Sequence, residues 1–206
     1  MSASRRSFAY DDDAAARTRE GEIVASLADD GLFNDDAFPA AGASLYRDGF
    51  RAPRGHLPAE IIDWNRINQL EIRNLKEPVT FGEDMLNNNG GGTSIRQGAL
   101  GNCYFLSALA QVSTKPELAK GLIVSDANRG KGIYTVKFNK NGKWLYVHVD
   151  DRIPCNRMGD TYFSRSVNPN ETWVMIVEKG KKPPQPAQFV RASMYTQLIL
   201  QCSTVN

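Results

Sequence analysis

The chain has 206 residues, which at about 150 residues per domain corresponds to little more than one domain. Hydrophobic residues make up 41% and charged residues 23%, an ordinary globular balance that excludes collagen, a long coiled coil and a small disulfide scaffold. With 25 Lys and Arg against 23 Asp and Glu, the net charge of +2 gives no overall reason to bind nucleic acid or an anionic membrane.

Cysteine usage and the N-terminus bear on location. Three cysteines are too few, and odd in number, for a secreted disulfide framework, so we expect reduced thiols and a cytoplasmic protein. No stretch approaches the roughly 18 apolar residues of a membrane span. Arg5 and Arg6 are followed by an acidic triplet rather than an apolar segment, which argues against a secretory signal.

Residues 1–30 are polar, and we expect a disordered or weakly helical arm with one short helix over 22–30. The acidic triplet Asp11–Asp13 is predicted to be a solvated charge run. It is not an EF-hand loop, because the alternating ligands and the closing glutamate are absent.

Residues 31–92 are rich in loops, with scattered apolar anchors and a short predicted helix opened by Pro58. The run at 87–92, NNNGGG, has high backbone freedom and is predicted to be a loop. It serves either as an idle linker or as a backbone cradle for an ion.

Residues 97–112 are the densest part of the chain. Residues 97–101 are predicted to form a tight loop, with Asn102 at the N-cap of a helix over 103–112. That helix is apolar on most of its surface, so we expect it to be buried. A second short helix is predicted over 115–122, with a proline in its first turn.

The C-terminal half begins with a predicted hairpin. Residues 133–138 and 144–149 are rich in β-branched and aromatic side chains, and Asn141-Gly142 between them is a turn signal. Residues 172–177 are ambiguous, because β-branched residues favour a strand while the flanks allow a helix. The prolines after Gly180 end the regular pattern.

Cys103 is the first candidate for chemistry. A thiol in the first turn of a helix lies in the positive field of the helix N-terminus, which favours thiolate over thiol. Gln97 precedes it across a glycine-bearing loop and could supply an oxyanion donor together with the Cys103 N–H. The alternative is an inert buried cysteine, and these local features leave both readings open.

The segment at 97–106, QGALGNCYFL, resembles the active-site segment of calpain-type cysteine proteases. Further motifs resemble the same family in order along the chain: FND and FP at 33–39, SLY at 44–46, WNR at 64–66, DDRIP at 150–154, and NETW with EK at 170–179. The resemblance covers residues 31–179.

The resemblance implies an α+β, papain-like cysteine protease fold. This chain would form its first, mostly helical lobe with a small β-hairpin, and the second lobe would be absent. The division is then an N-terminal arm at 1–30, the nucleophile lobe of the catalytic core at 31–179, and a divergent tail at 180–206. The matching Cys103 would be the nucleophile of an intracellular endopeptidase, Gln97 would help form the oxyanion hole, and residues 172–177 would be helical.

Two departures from the family pattern qualify this hypothesis. A cysteine protease needs a His base and an Asn or Asp that orients it, which the family takes from the second lobe. Neither His56 nor His148 lies in a matching motif. We therefore expect this chain alone to be inactive. Its expected partners are protein substrates and a second catalytic lobe or partner chain that supplies the base. The alternative is a non-catalytic, calpain-like binding or regulatory module.

The second departure concerns calcium. In the family, a loop before the Gln-Gly turn binds Ca²⁺ through oxygen ligands. In this chain Asn87, Asn89 and Glu171 are the candidate ligands. Ser94 stands where the family has an Asp. The loss of one carboxylate should weaken the site or leave it empty.

Overall fold

The computed structural model describes residues 7–8, 12–45, 62–70, 77–83, 95–100, 102–140 and 142–181. In chain order its helices and strands are β1 (Ser7–Phe8), α1 (Asp13–Ala25), β2 (Asp63–Arg66), β3 (Ile95–Arg96), α2 (Cys103–Ser113), α3 (Pro116–Gly121), β4 (Ile123–Ser125), β5 (Ile133–Lys140), β6 (Lys143–Asp150), β7 (Arg152–Cys155), β8 (Arg165–Ser166) and α4 (Trp173–Lys181). The expectations for 58–61, 87–92 and 182–206 lie outside the described residues.

The largest sheet is built on the predicted hairpin, which is confirmed. β5 and β6 are antiparallel, with Ile133 opposite Asp150 and Lys140 opposite Lys143, so each strand is longer than expected. Gly142 has a φ of 77°, a left-handed conformation that suits a tight turn. β1 and β4 extend the hairpin to a four-stranded sheet in the order β1-β6-β5-β4.

Two smaller antiparallel pairs lie outside this sheet, β2 with β7 and β3 with β8. The strands pair antiparallel and the helices do not alternate with them, so the fold class is α+β, as expected. Helices and strands contribute comparable lengths of the described chain.

The predicted central helices are confirmed with small shifts at their ends. α2 begins at Cys103, ends one residue later than expected, and buries most of its apolar side chains. α3 begins at Pro116, where a proline loses no helical hydrogen bond. In the described ranges no helix is long and apolar enough to cross a bilayer.

α4 resolves the ambiguity over 172–177 in favour of a helix, as the resemblance implied. Every residue from Trp173 to Gly180 is buried, and α4 packs on the hairpin strands. A Cβ at Gly180 would lie 3.1 Å from the Phe138 ring, so the helix and β5 approach closely there. Burial on all sides outweighs the modest preference of β-branched residues for strands.

The N-terminal arm differs from its expected form. The helix spans Asp13–Ala25 rather than 22–30, and Asp12 caps it by accepting from the Ala15 N–H at 2.8 Å. Asp13 accepts from Lys137 Nζ and from Tyr146 OH, each at 2.8 Å. This part of the acidic triplet is therefore bonded to the sheet and is not a solvated charge run.

A buried carboxylate fixes α1 on the sheet. Glu20 is fully buried, and its oxygens accept from Ser125 Oγ at 2.9 Å, Asn128 Nδ2 at 2.7 Å and Thr135 Oγ1. These donors satisfy the charge that burial would otherwise penalise. Because side chains alternate along a strand, Thr135 faces α1 while Val136 faces α4, so the two helices cover opposite faces of the sheet.

Candidate active site

Cys103 is the first residue of α2 and its side chain is exposed. The inner face of the helix is held in the core by Phe105, Leu106 and Leu109. The described part of the chain thus presents a thiol at the solvent-facing start of a buried, eleven-residue helix. The reading of Cys103 as an inert buried cysteine does not fit its exposure.

Asn102 occupies the predicted N-cap position, but its side chain does not cap the helix. Its Nδ2 instead donates to Glu178 Oε1 on α4 at 2.6 Å. The local pattern identified the position correctly and missed this partner, which lies 76 residues further along the chain.

The turn that carries Gln97 is hydrogen-bonded to the segment before β8. Gly98 N donates to Ser164 Oγ at 3.2 Å, and Ala99 N donates to Tyr162 O at 3.0 Å. A Cβ at Gly98 would lie 2.6 Å from the Phe163 carbonyl carbon, so only glycine fits this close approach. The exposed Gln97 side chain turns back across the loop, with Nε2 3.5 Å from Leu100 O.

Glu178 connects Asn102 to the segment that binds the Gln97 turn. Sequence reasoning did not identify this residue. It is fully buried, and its second oxygen, Oε2, accepts from Ser164 N at 2.6 Å. The available signal was its place in the family-like Glu-Lys pair, because its charge alone suggested a solvated position.

Lys181, in the last turn of α4, packs against the first turn of α2. Its Nζ lies 4.2 Å from the centre of the Tyr104 ring and 4.4 Å from that of Phe105. Burial lowers the pKa of Lys181 to about 8 and raises the pKa of Tyr104. The Lys181 ammonium group therefore lies against the ring of Tyr104, the residue that follows Cys103.

The structure places His148 away from Cys103. His148 lies on β6 and its Nδ1 is 2.8 Å from Thr135 Oγ1, on the sheet face covered by α1. The start of α2 instead contacts α4, which covers the opposite face. Burial lowers the pKa of His148 to about 4, and a packing role fits this residue. His56 lies outside the described residues.

Of the three candidate calcium ligands, Asn87 and Asn89 lie outside the described residues. Glu171 is buried, and its two carboxylate oxygens accept from Gly82 N at 3.2 Å and from Ser166 Oγ at 2.6 Å. The described part of the chain holds no group of three or more His, Cys, Asp and Glu side chains placed to bind a metal ion. In the described residues, Glu171 therefore connects the Gly82 loop to β8.

Residues 33–182 match the sequence model of the calpain family cysteine proteases. The chain belongs to the calpain family. Similar relatives include the calpain-type cysteine protease DEK1 of Zea mays, 34% identical over 151 residues, and Calpain clp-4 of Caenorhabditis elegans, 35% identical over 152. Calpain-12 of Homo sapiens is 34% identical over 162 residues.

The calpain resemblance covers much of this chain and little of each relative. The three alignments take in 72%, 72% and 77% of the chain, but 7%, 19% and 21% of the relatives, respectively. The family match begins after α1, so β1 and α1 are additional to the matched region.

Proposed function

We propose that this chain carries the nucleophile part of a calpain-type cysteine endopeptidase, with Cys103 as the nucleophile and Gln97 as an oxyanion donor. The observation that carries the proposal is an exposed Cys103 at the start of buried α2, beside a fastened Gln-Gly turn. Family membership supports this chemistry. The proposal includes a papain-like arrangement in which the described residues belong to the first lobe.

The proposed reaction is acyl transfer. The Cys103 thiolate attacks the carbonyl carbon of a peptide, a C–S bond forms, and the carbonyl oxygen becomes an oxyanion. The Cys103 N–H and the Gln97 amide would donate hydrogen bonds to that oxygen. The C–N bond then breaks, the departing amine takes a proton, and water hydrolyses the thioester to free the thiol.

The base that takes the thiol proton is proposed to come from residues outside the described part. His148 does not suit that role, because it lies across the sheet from the start of α2 and its pKa, lowered to about 4 by burial, makes it a weak base. A second lobe or partner chain would supply the histidine and its orienting residue. The proposed substrates are intracellular proteins.

Calcium dependence is a separate part of the proposal. Asn87, Asn89 and Glu171 offer the oxygen donors that Ca²⁺ prefers. Glu171 is already engaged with Gly82 and Ser166, so binding would have to use its remaining lone pairs or displace these donors. Calorimetric titration of the chain with Ca²⁺, compared with a Glu171→Gln variant, tests this part independently of activity. Equal binding by both proteins would exclude Glu171 as a ligand.

The main test is a peptidase assay on the protein at its natural length, first without calcium and then with it. Cys103→Ser should lower kcat/KM by about a thousandfold or more. Cys155→Ala is the matched control, because it removes a fully buried thiol and should leave turnover near wild type. Full activity of Cys103→Ser would overturn the proposal. A wild-type protein without activity under either condition would favour the binding-module alternative.

A further inference from the structure

We infer that Glu178 is a positioning residue that fixes Cys103 and the Gln97 turn relative to each other. This inference rests on the proposed peptidase function. Its side chain is fully buried near the end of α4. A buried carboxylate is costly unless hydrogen bonds or counter-charges satisfy it. The partners of Glu178 therefore indicate what it holds in place.

The two carboxylate oxygens bind two different segments. Oε1 accepts from Asn102 Nδ2 and Oε2 accepts from Ser164 N, both at 2.6 Å. These are short distances of the kind seen when a charged group takes part in the bond. One side chain thus links α4 to the residue before α2 and to the segment before β8.

Each of those segments leads directly to a proposed site residue. Asn102 immediately precedes Cys103, and its backbone oxygen accepts from Phe105 N and Leu106 N in the first turn of α2. Ser164 Oγ accepts from Gly98 N, next to Gln97. The carboxylate therefore joins both ends of the loop that separates the proposed nucleophile from the proposed oxyanion donor.

The donor pattern explains why a carboxylate is suited to this position. Both partners donate, so the residue between them must accept on both sides. A glutamine can do so only if Asn102 turns its amide over and accepts from the new NH₂ group. That rearrangement is open, because Asn102 Oδ1 has no hydrogen-bond partner within the described residues. A methionine of similar length can accept from neither donor usefully.

The experiment measures alkylation of Cys103 by iodoacetamide as a function of pH in the 206-residue chain, with peptide mass mapping to isolate this thiol. Glu178→Met should slow alkylation of Cys103 at pH 7 by about two- to fivefold relative to Glu178→Gln, because both variants lose the same charge and only the methionine leaves the first turn of α2 without its anchor. Glu178→Gln should stay within about twofold of wild type.

Glu20→Met is the matched control. Glu20 is an equally buried glutamate with three donors, and it lies on the other face of the sheet. Both methionine variants should lower Tm, and only Glu178→Met should move the Cys103 profile. Equal profiles in the two variants would overturn the inference and leave Glu178 as a packing residue.

A second variant covers the case in which Glu178→Met does not fold. Asn102→Leu removes one of the two links and keeps the branched shape of the side chain, and it should likewise slow the alkylation of Cys103. An unchanged profile in a folded Asn102→Leu protein would also overturn the inference.

Activity separates this inference from the proposed function. In the natural-length protein, Glu178→Met should lower kcat about tenfold or more with KM within about threefold, because a misplaced oxyanion donor acts on the transition state. If Cys103 is not the nucleophile, Cys103→Ser keeps its activity while the alkylation shift persists. If only the positioning inference is wrong, Cys103→Ser is inactive and Glu178→Met has a normal profile.

Discussion

Replacing Gly98 by alanine should destabilise the protein through the backbone it touches. The added Cβ would lie 2.6 Å from the carbonyl carbon and 2.7 Å from the carbonyl oxygen of Phe163, and closer still to Tyr162 O. Real Cβ atoms essentially never approach other atoms within 3.0 Å. All three neighbours are backbone atoms, so no side chain can rotate away to make room.

The magnitude follows from two contributions. Overpacking a well-filled site costs about 1–3 kcal/mol. Moving the turn away also weakens the bonds from Gly98 N to Ser164 Oγ and from Ala99 N to Tyr162 O, each worth about 0.5–1.5 kcal/mol. We therefore expect Gly98→Ala to lower the free energy of unfolding by about 2–5 kcal/mol.

Urea unfolding followed by tryptophan fluorescence measures this difference, with Gly21→Ala as the control. Gly21 lies inside α1, and a Cβ there meets no atom within 4 Å. Gly21→Ala should therefore raise the free energy of unfolding by about 0.5–1 kcal/mol. Surface substitutions that touch nothing usually change the free energy of unfolding by less than about 0.5 kcal/mol. A change no larger than that for Gly98→Ala would refute this account of the turn.

Further predictions concern the buried charges and thiols. Lys179→Met removes the cation paired with the buried Asp150, so it should lower the free energy of unfolding in urea by about 3–5 kcal/mol. A decrease below about 1 kcal/mol would contradict the pairing. Burial lowers the pKa of His148 from 6.5 to about 4, so its contribution to stability is complete above pH 6.5 and is lost as the pH falls toward 4. Between pH 7 and pH 4 the free energy of unfolding should therefore fall by about 3 kcal/mol more in wild type than in His148→Gln. Equal decreases would show that His148 is not held in its neutral form by burial. Burial raises the pKa of Cys155 to about 12, so iodoacetamide at pH 8 should modify Cys103 in the native protein and Cys155 only after unfolding, a difference that mass mapping detects. Equal modification of both thiols in the native protein would contradict the buried position of Cys155.

Local sequence information sufficed where neighbouring residues decide the structure. The hairpin has β-branched strands around a glycine turn, and α2 has a continuous apolar run, so each could be predicted within a few residues. α4 could not be decided locally, because its β-branched residues are helical only through burial against the sheet. The resemblance to a known family supplied that assignment.

Long-range contacts account for what the sequence did not indicate. α1 was expected later in the chain because the pattern around Glu20 looks polar and solvated. One of the donors to Glu20 is Thr135, which lies 115 residues away. The same reasoning applies to Glu178, whose partners are 76 and 14 residues distant. A buried charge cannot be told from a surface charge until its donors are known.

The short strand β1 has a consequence for where this folding unit begins. β1 pairs with β6 at the edge of the main sheet, with Ser7 opposite Val147 and Phe8 opposite Tyr146. Both β1 and α1 precede the family-matched region at 33–182. A chain trimmed to that region would lose the pairing of β1 with Tyr146 and Val147 of β6, and unpaired edge strands promote aggregation. The main sheet therefore extends beyond the limits of the family similarity.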